Sequence, residues 1–214
     1  MTSRLPFRML RLAPLLAVAV LDCGGTPRTR VLLPPRVALV PYGRIGLVTF
    51  TVENAKGNLQ EFATRRFEEA MLAAQTGFEV LELGVADSVL RRSGQAELGA
   101  VAAESLGAQR DIPAVFFGHL KISDVRPKGG LIGLATGVIQ ATVSAELTVE
   151  LVNTKSGGTV WRSSGIASEQ VGQVSLSGGI PTFSASDPNE AYGHLVNRLV
   201  TFVTRDFRST WVDQ

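Results

Sequence analysis

Apolar residues recur along this chain with two periods, and the switching between them predicts an α/β fold. Arg44 to Val52 is apolar on both faces through Ile45, Leu47, Val48 and Phe50, as a strand buried on two sides requires. Leu59, Phe62, Ala63, Phe67, Ala70, Met71 and Ala74 then recur at helical spacing. Asn58 and Glu61 stand as a capping box at the start of that helix, and Gly77 is placed to end it. Phe78 to Leu83 reads as a second strand. Helical signal follows from Val85 to Arg92 and from Gln95 to Leu106, the latter with Leu98, Val101, Ala102, Ser105 and Leu106 on its buried side. Ile112 to Ser123 starts as a continuous apolar run and ends alternating, which predicts a central strand emerging toward solvent.

The second half of the chain changes period. From Ala141 to Val152 the alternation is strict, with Val143, Ala145, Leu147, Val149 and Leu151 on one side and Thr142, Ser144, Glu146, Thr148 and Glu150 on the other. That predicts an antiparallel strand with one wet face. Asn153 to Gly158 is a turn, Thr159 to Val174 a return strand carrying Trp161, and Ser175 to Asp187 a Ser/Gly-rich loop. Asp187-Pro188 starts a last helix whose buried stripe runs through Ala191, Leu195, Leu199, Phe202, Val203 and Phe207 toward Trp211. Helical crossovers make the first three strands parallel, and the hairpin adds antiparallel ones. The expected fold is a single mixed sheet of about five strands with helices packed against it.

The N-terminus carries a different signal. Arg4, Arg8 and Arg11 precede the apolar run Leu12 to Leu21, which has the length of an export-signal core and is too short to span a bilayer as a helix. Cys23, the only cysteine, follows directly, and Val20-Leu21-Asp22-Cys23 resembles a bacterial lipobox in which the cysteine becomes the lipidated first residue. Asp22 departs from the small residue usual there. Ala17-Val18-Ala19 offers a competing cleavage site that would release a soluble periplasmic or secreted chain. Gly24 after the cysteine lacks the aspartate associated with inner-membrane retention, which resembles an outer-membrane address facing the periplasm. The expected organisation is a signal peptide over 1–22, a flexible tether over 23–35 with three prolines, and one α/β domain over 36–214. Within that domain the proline-bounded stretch Arg36 to Tyr42 is expected to be extended.

Charge then narrows the function classes. The net charge of +2 comes from the leader, since residues 1–22 hold three arginines and one aspartate, leaving 18 basic and 18 acidic side chains. A neutral mature chain lacks the electrostatic footprint of nucleic-acid binding. Only His119 and His194 could join Cys23 as soft ligands, and neither has a cysteine near it in sequence, so no metal site and no cofactor is implied. Ser175 to Gly179 lacks the spacing of a nucleophile elbow. Glu146 and Glu150 share a strand face but lie about 13 Å apart, beyond the usual span of a glycosidase pair.

Gly129 to Gly137 is a glycine-rich apolar insert without the G-K-[ST] of a phosphate loop. It is either a loop folded over the sheet or a docking patch, with Leu131, Ile132, Leu134 and Val138 as contact candidates and Trp161 as a possible aromatic anchor.

The Cys23 lipobox, the Ile45-to-Phe50 strand, the long Asn58-to-Ala74 helix, the Ala114-to-Leu120 strand and the late hairpin with its closing helix together resemble the domain shared by bacterial envelope proteins such as LpoB, CsgG and the N-terminal part of TolB. The resemblance spans nearly the whole mature chain and rests on hydrophobic patterning, so it carries over no binding residue. It implies a non-enzymatic envelope protein that binds other proteins, is held to the membrane through Cys23, and can form homo-oligomers. Two alternatives remain open. One is a curli-type secretion-pore subunit with residues 126–140 as a membrane hairpin; the other is a periplasmic hydrolase using Asp111, Asp124 or Glu146.

Overall fold

The computed structural model describes residues 29–54, 58–123, 126–128, 138–177, 180–185 and 188–213. Its strands are β1 (Arg30–Leu33), β2 (Arg44–Thr49), β3 (Thr51–Glu53), β4 (Glu79–Val85), β5 (Ala114–Ile122), β6 (Arg126–Lys128), β7 (Val138–Asn153), β8 (Thr159–Ser177), β9 (Ile180–Ala185) and β10 (Thr210–Asp213). Its α-helices are α1 (Leu59–Ala74), α2 (Ala86–Ser93), α3 (Ala100–Arg110) and α4 (Pro188–Val203).

One mixed sheet runs in the order β4-β2-β5-β7-β8-β9, with β3 extending beside β5 and β6 beside β7. The β2–β4 and β2–β5 pairs are parallel; β5–β7, β7–β8 and β8–β9 are antiparallel. The mixed sheet expected from the sequence is therefore present, with one more strand on its main path. That strand, β9, together with the end of β8 occupies most of the stretch read as a Ser/Gly-rich loop. The serines and glycines there mask a hairpin, and Gly178-Gly179, which joins β8 to β9 in sequence, is a composition that two-residue hairpin turns favour.

The chain moves from β2 outward to β4 and then back past β2 to β5. Right-handed crossovers moving in opposite directions place their helices on opposite faces of a sheet. Accordingly α1 and α4 pack on one face, and α2 and α3 on the other. The first face holds the larger core, centred on an aromatic group. Phe67 lies 5.2 Å from both Phe50 and Phe116 between ring centroids, and Trp161 lies 4.6 Å from Phe207. The smaller core joins Val48, Leu83, Val89, Ala103, Leu106, Val115 and Phe117.

Side-chain hydrogen bonds end and tie the elements. The first strand breaks at Phe50, whose backbone N–H donates to the Thr64 hydroxyl at 2.8 Å; that hydroxyl in turn donates to the Gln60 carbonyl at 2.7 Å. Gln75, just past α1, accepts from Leu39 N–H at 2.8 Å and donates to the carbonyls of Val37 at 2.7 Å and Phe207 at 3.0 Å. Because these bonds absorb its backbone groups, the 36–42 stretch, expected to be extended, lies on the domain as an arm and joins no sheet. Val40–Tyr42 closes instead as a 3-10 turn with Pro41 in its first positions.

Three other local expectations change. The Asn58 capping box is not formed: Asn58 sits at φ −92°, ψ 29°, away from the extended geometry that aims a capping side chain at the helix N–H groups. On α3, Val101 is 57% exposed, while Ala102, Ala103 and Leu106 are buried. A Cβ on Gly107 would stand 2.3 Å from the Cβ of Thr154, so α3 comes closest to the β7–β8 turn along its Ala103-Gly107 edge, which turns Val101 outward. Finally, the tether read over 23–35 contains β1, which pairs antiparallel with β10 in a separate two-stranded ribbon.

Candidate functional site: the open face of the sheet

The two helical layers cover the sheet unequally. On the α2/α3 face, coverage stops at Phe117 and Val152, and beyond it β3, β5, residues 142–150 of β7 and residues 162–166 of β8 turn alternate side chains outward. Register aligns those side chains in rows. Thr51, His119, Thr148 and Ser164 form one row across four strands. Glu53, Lys121, Glu146 and Ile166 form the next, and Glu150 faces Arg162 in a third.

Opposite charges meet across the strands, as stable cross-strand pairs require. Lys121 Nζ lies 3.3 Å from Glu53, and the Arg162 guanidinium donates through Nε to Glu150 at 3.1 Å. His119 is bonded on both nitrogens' sides: Nδ1 is 2.8 Å from the Thr51 hydroxyl and Nε2 is 3.5 Å from the Glu53 carboxylate. These side chains are roughly half exposed, so their ion pairs orient the face more than they stabilise the fold. Amid them stands Ile166, the most exposed large apolar side chain among the described residues, at 76%.

Where α2 ends this face, a groove of about 380 Å³ opens. Ala86, Asp87 and Leu90 of α2 with Leu98 form one wall, Phe117, Thr148 and the His119 imidazole lie in the lining, and Glu150 and Arg162 bring charge to it. The site therefore offers an apolar slot beside a flat polar face carrying both signs of charge, a combination suited to a protein surface.

The residues singled out from the sequence fall in different places. Trp161 is not a surface anchor: it is 8% exposed, packs edge-on to Phe116 and donates its indole N–H to Asp206 at 3.2 Å. Strand alternation puts it on the α4 side, opposite its neighbour Arg162. Val138 lies in β7, paired with Ser175, rather than in the insert. Cys23, Leu131, Ile132, Leu134 and Asp124 lie outside the described residues.

Of the hydrolase carboxylates, Asp111 ends α3 with φ 52° before β5 begins, whereas Glu146 pairs with Lys121 near the far end of β5. Seven residues of strand, about 23 Å, separate those levels, so the two do not converge. Among the described residues no three His, Cys, Asp or Glu side chains gather where a metal could sit. His194 is exposed on α4.

The residues that build the face were missed for an identifiable reason. The wet alternation of β7 was readable, but Thr51, His119 and Arg162 join it only through register, which no single strand encodes. One further titratable group is perturbed. Burial on α1 pushes the Glu68 carboxyl above its usual range, and Glu82 and Glu69 add repulsion.

With this geometry described, the chain can be set beside known proteins. No protein-family model matches it, and no curated protein matches it. Among solved structures it is similar to the PelC dodecamer from Paraburkholderia phytofirmans, at 15% identity and a TM-score of 0.45, over 84% of this chain and 96% of that one. It is also similar to the lipoprotein GNA1162 from Neisseria meningitidis, at 15% identity and a TM-score of 0.41, over 73% and 94%. The LpoB C-terminal domain from Salmonella enterica is similar at 14% identity and a TM-score of 0.37, over 59% and 83%. The LpoB-type resemblance read from the sequence thus meets an LpoB domain among the similar structures.

Proposed function

We propose that this chain is a non-enzymatic cell-envelope lipoprotein that acts as an accessory or scaffold by binding other proteins. In this reading Cys23 carries the lipid, the mature chain is anchored in the outer membrane, and the domain faces the periplasm. The observation that carries the reading is the half-covered sheet. A chain that buries its other face under α1 and α4 leaves Ile166 bare within rows of paired charge. The names of the similar structures, a lipoprotein and a dodecamer among them, agree with envelope residence and with assembly of several copies.

The partner contacts proposed are Ile166, His119 and Arg162 with the adjoining groove. Leu131, Ile132 and Leu134, which join β6 to β7 in sequence, are proposed as further contacts. The test is a variant combining Arg162→Ala with Ile166→Ser, compared with the parent for melting temperature and for copurified envelope proteins. Unchanged melting with loss of a partner supports the reading; unchanged copurification removes the open face from it.

A second reading follows from strand length. β7 has 16 residues and β8 has 19, against nine in β5, so with β6 and β9 they run beyond the packed sheet. Such an extension is the part that would enter a membrane in a pore subunit, where strands of about 9–11 residues span. Ring-shaped particles in detergent would favour the pore; particles without a ring would favour the accessory role.

A further inference from the structure

The ribbon of β1 and β10 stands apart from the rest of the molecule. Its four pairs are Arg30 with Asp213, Val31 with Val212, Leu32 with Trp211 and Leu33 with Thr210, and neither strand joins the main sheet. A two-stranded ribbon alone is marginal in water. This one nonetheless exposes its largest apolar side chains, Trp211 at 63% and Leu32 at 48%, paired on one face, with Leu33 and Val212 exposed on the other. Four of the eleven exposed large apolar side chains among the described residues fall on these two four-residue strands.

Chain length says what lies next to them. Arg30 follows Cys23 by seven residues, which reach at most about 25 Å when fully extended. If Cys23 is lipidated, the ribbon cannot leave the bilayer surface by more than that reach. Charge points the same way. Arg28, Arg30, Arg36, Arg205 and Arg208 lie on the two stretches that make or lead into the ribbon, against Asp206 and Asp213. Arginine is drawn to anionic headgroups, and tryptophan is enriched at the level where headgroups meet acyl chains.

We propose that the β1–β10 ribbon is a membrane foot, seating Trp211 and Leu32 in the interfacial layer of the bilayer that holds the Cys23 anchor. The inference rests on the lipoprotein reading above. It adds an orientation: the chain touches the bilayer at two points, lipid and ribbon, so the domain has a fixed attitude instead of swinging on a free tether.

The test uses the full chain as cells make it, reconstituted into vesicles of phosphatidylethanolamine and phosphatidylglycerol, with and without brominated acyl chains. Trp161 is buried, so the difference between the parent and Trp211→Phe isolates residue 211. The expected result is a Trp211 emission shifted to shorter wavelength and largely quenched by the bromines, with both effects reduced in Leu32→Ser. Protein that floats with the vesicles while Trp211 keeps a water-like, unquenched emission overturns the foot and leaves the anchor standing. A shift that bromine does not quench and that fades on dilution overturns it in favour of a second copy covering the ribbon. Failure to float defeats the anchor and the foot together.

Discussion

The two faces of the central sheet use the same strands for opposite ends. On one, every second residue of β7 from Val143 to Leu151 is buried beneath α4, and five aromatic rings interlock. On the other, the intervening residues from Thr142 to Glu150 stay partly or fully exposed, among cross-strand neighbours such as Ser168, Ile166 and Arg162. The comparison separates what holds the fold from what is free to be recognised: substitutions on the first face should register as stability, and those on the second as binding.

The largest effect expected is Trp161→Ala. It removes the ring wedged between Phe116 and Phe207 and takes the indole donor from Asp206, so chemical denaturation should show a loss of about 4 kcal/mol. Gly118→Val follows on the same face. A Cβ there would stand 2.3 Å from the Phe50 ring, and the overpacking should cost about 3 kcal/mol in the same measurement. Thr64→Val keeps the shape but leaves the buried Phe50 N–H unpaired, a loss of about 2 kcal/mol.

Ile166→Ser, on the open face, should alter stability by less than about 0.5 kcal/mol while reducing partner capture. A loss comparable to that of Thr64→Val would place Ile166 in the core and collapse the distinction between the faces.

The smallest effect belongs to Glu68. Folding raises its pKa, so the ionised form is the disfavoured one in the native state. The native state is thus favoured at pH below the ordinary carboxylate range, and that increment is lost as pH rises through the raised value. Glu68→Gln should raise the melting temperature by about 1 °C near neutral pH, and the gap should close as acid protonates Glu68 in the parent.

Legibility in the sequence followed the same division. The buried face was readable because burial writes itself into single elements: the apolar stripe of α1, the runs in β2 and β5 and the alternation of β7 each predicted their own core residues. Features set by two distant segments were not readable. Gln75 is an ordinary polar residue until Val37, Leu39 and Phe207 converge on it. Trp161 reads as an anchor until Phe207, 46 positions later, closes over it. The open face needed the registers of β3, β5, β7 and β8 together, and β10 needed its partner 180 residues upstream. The insert bearing Leu131 was chosen for local composition, the one signal that says nothing about neighbours.

The central claim is that the open face is a recognition surface. It is tested most directly by site-specific photo-crosslinking in intact cells, with the crosslinker at position 166 compared with position 72, where Leu72 is exposed on α1. The prediction is a discrete crosslinked product from position 166 that is absent from position 72 and abolished by Arg162→Ala. Equal products from both positions, or a product only from position 72, would contradict it.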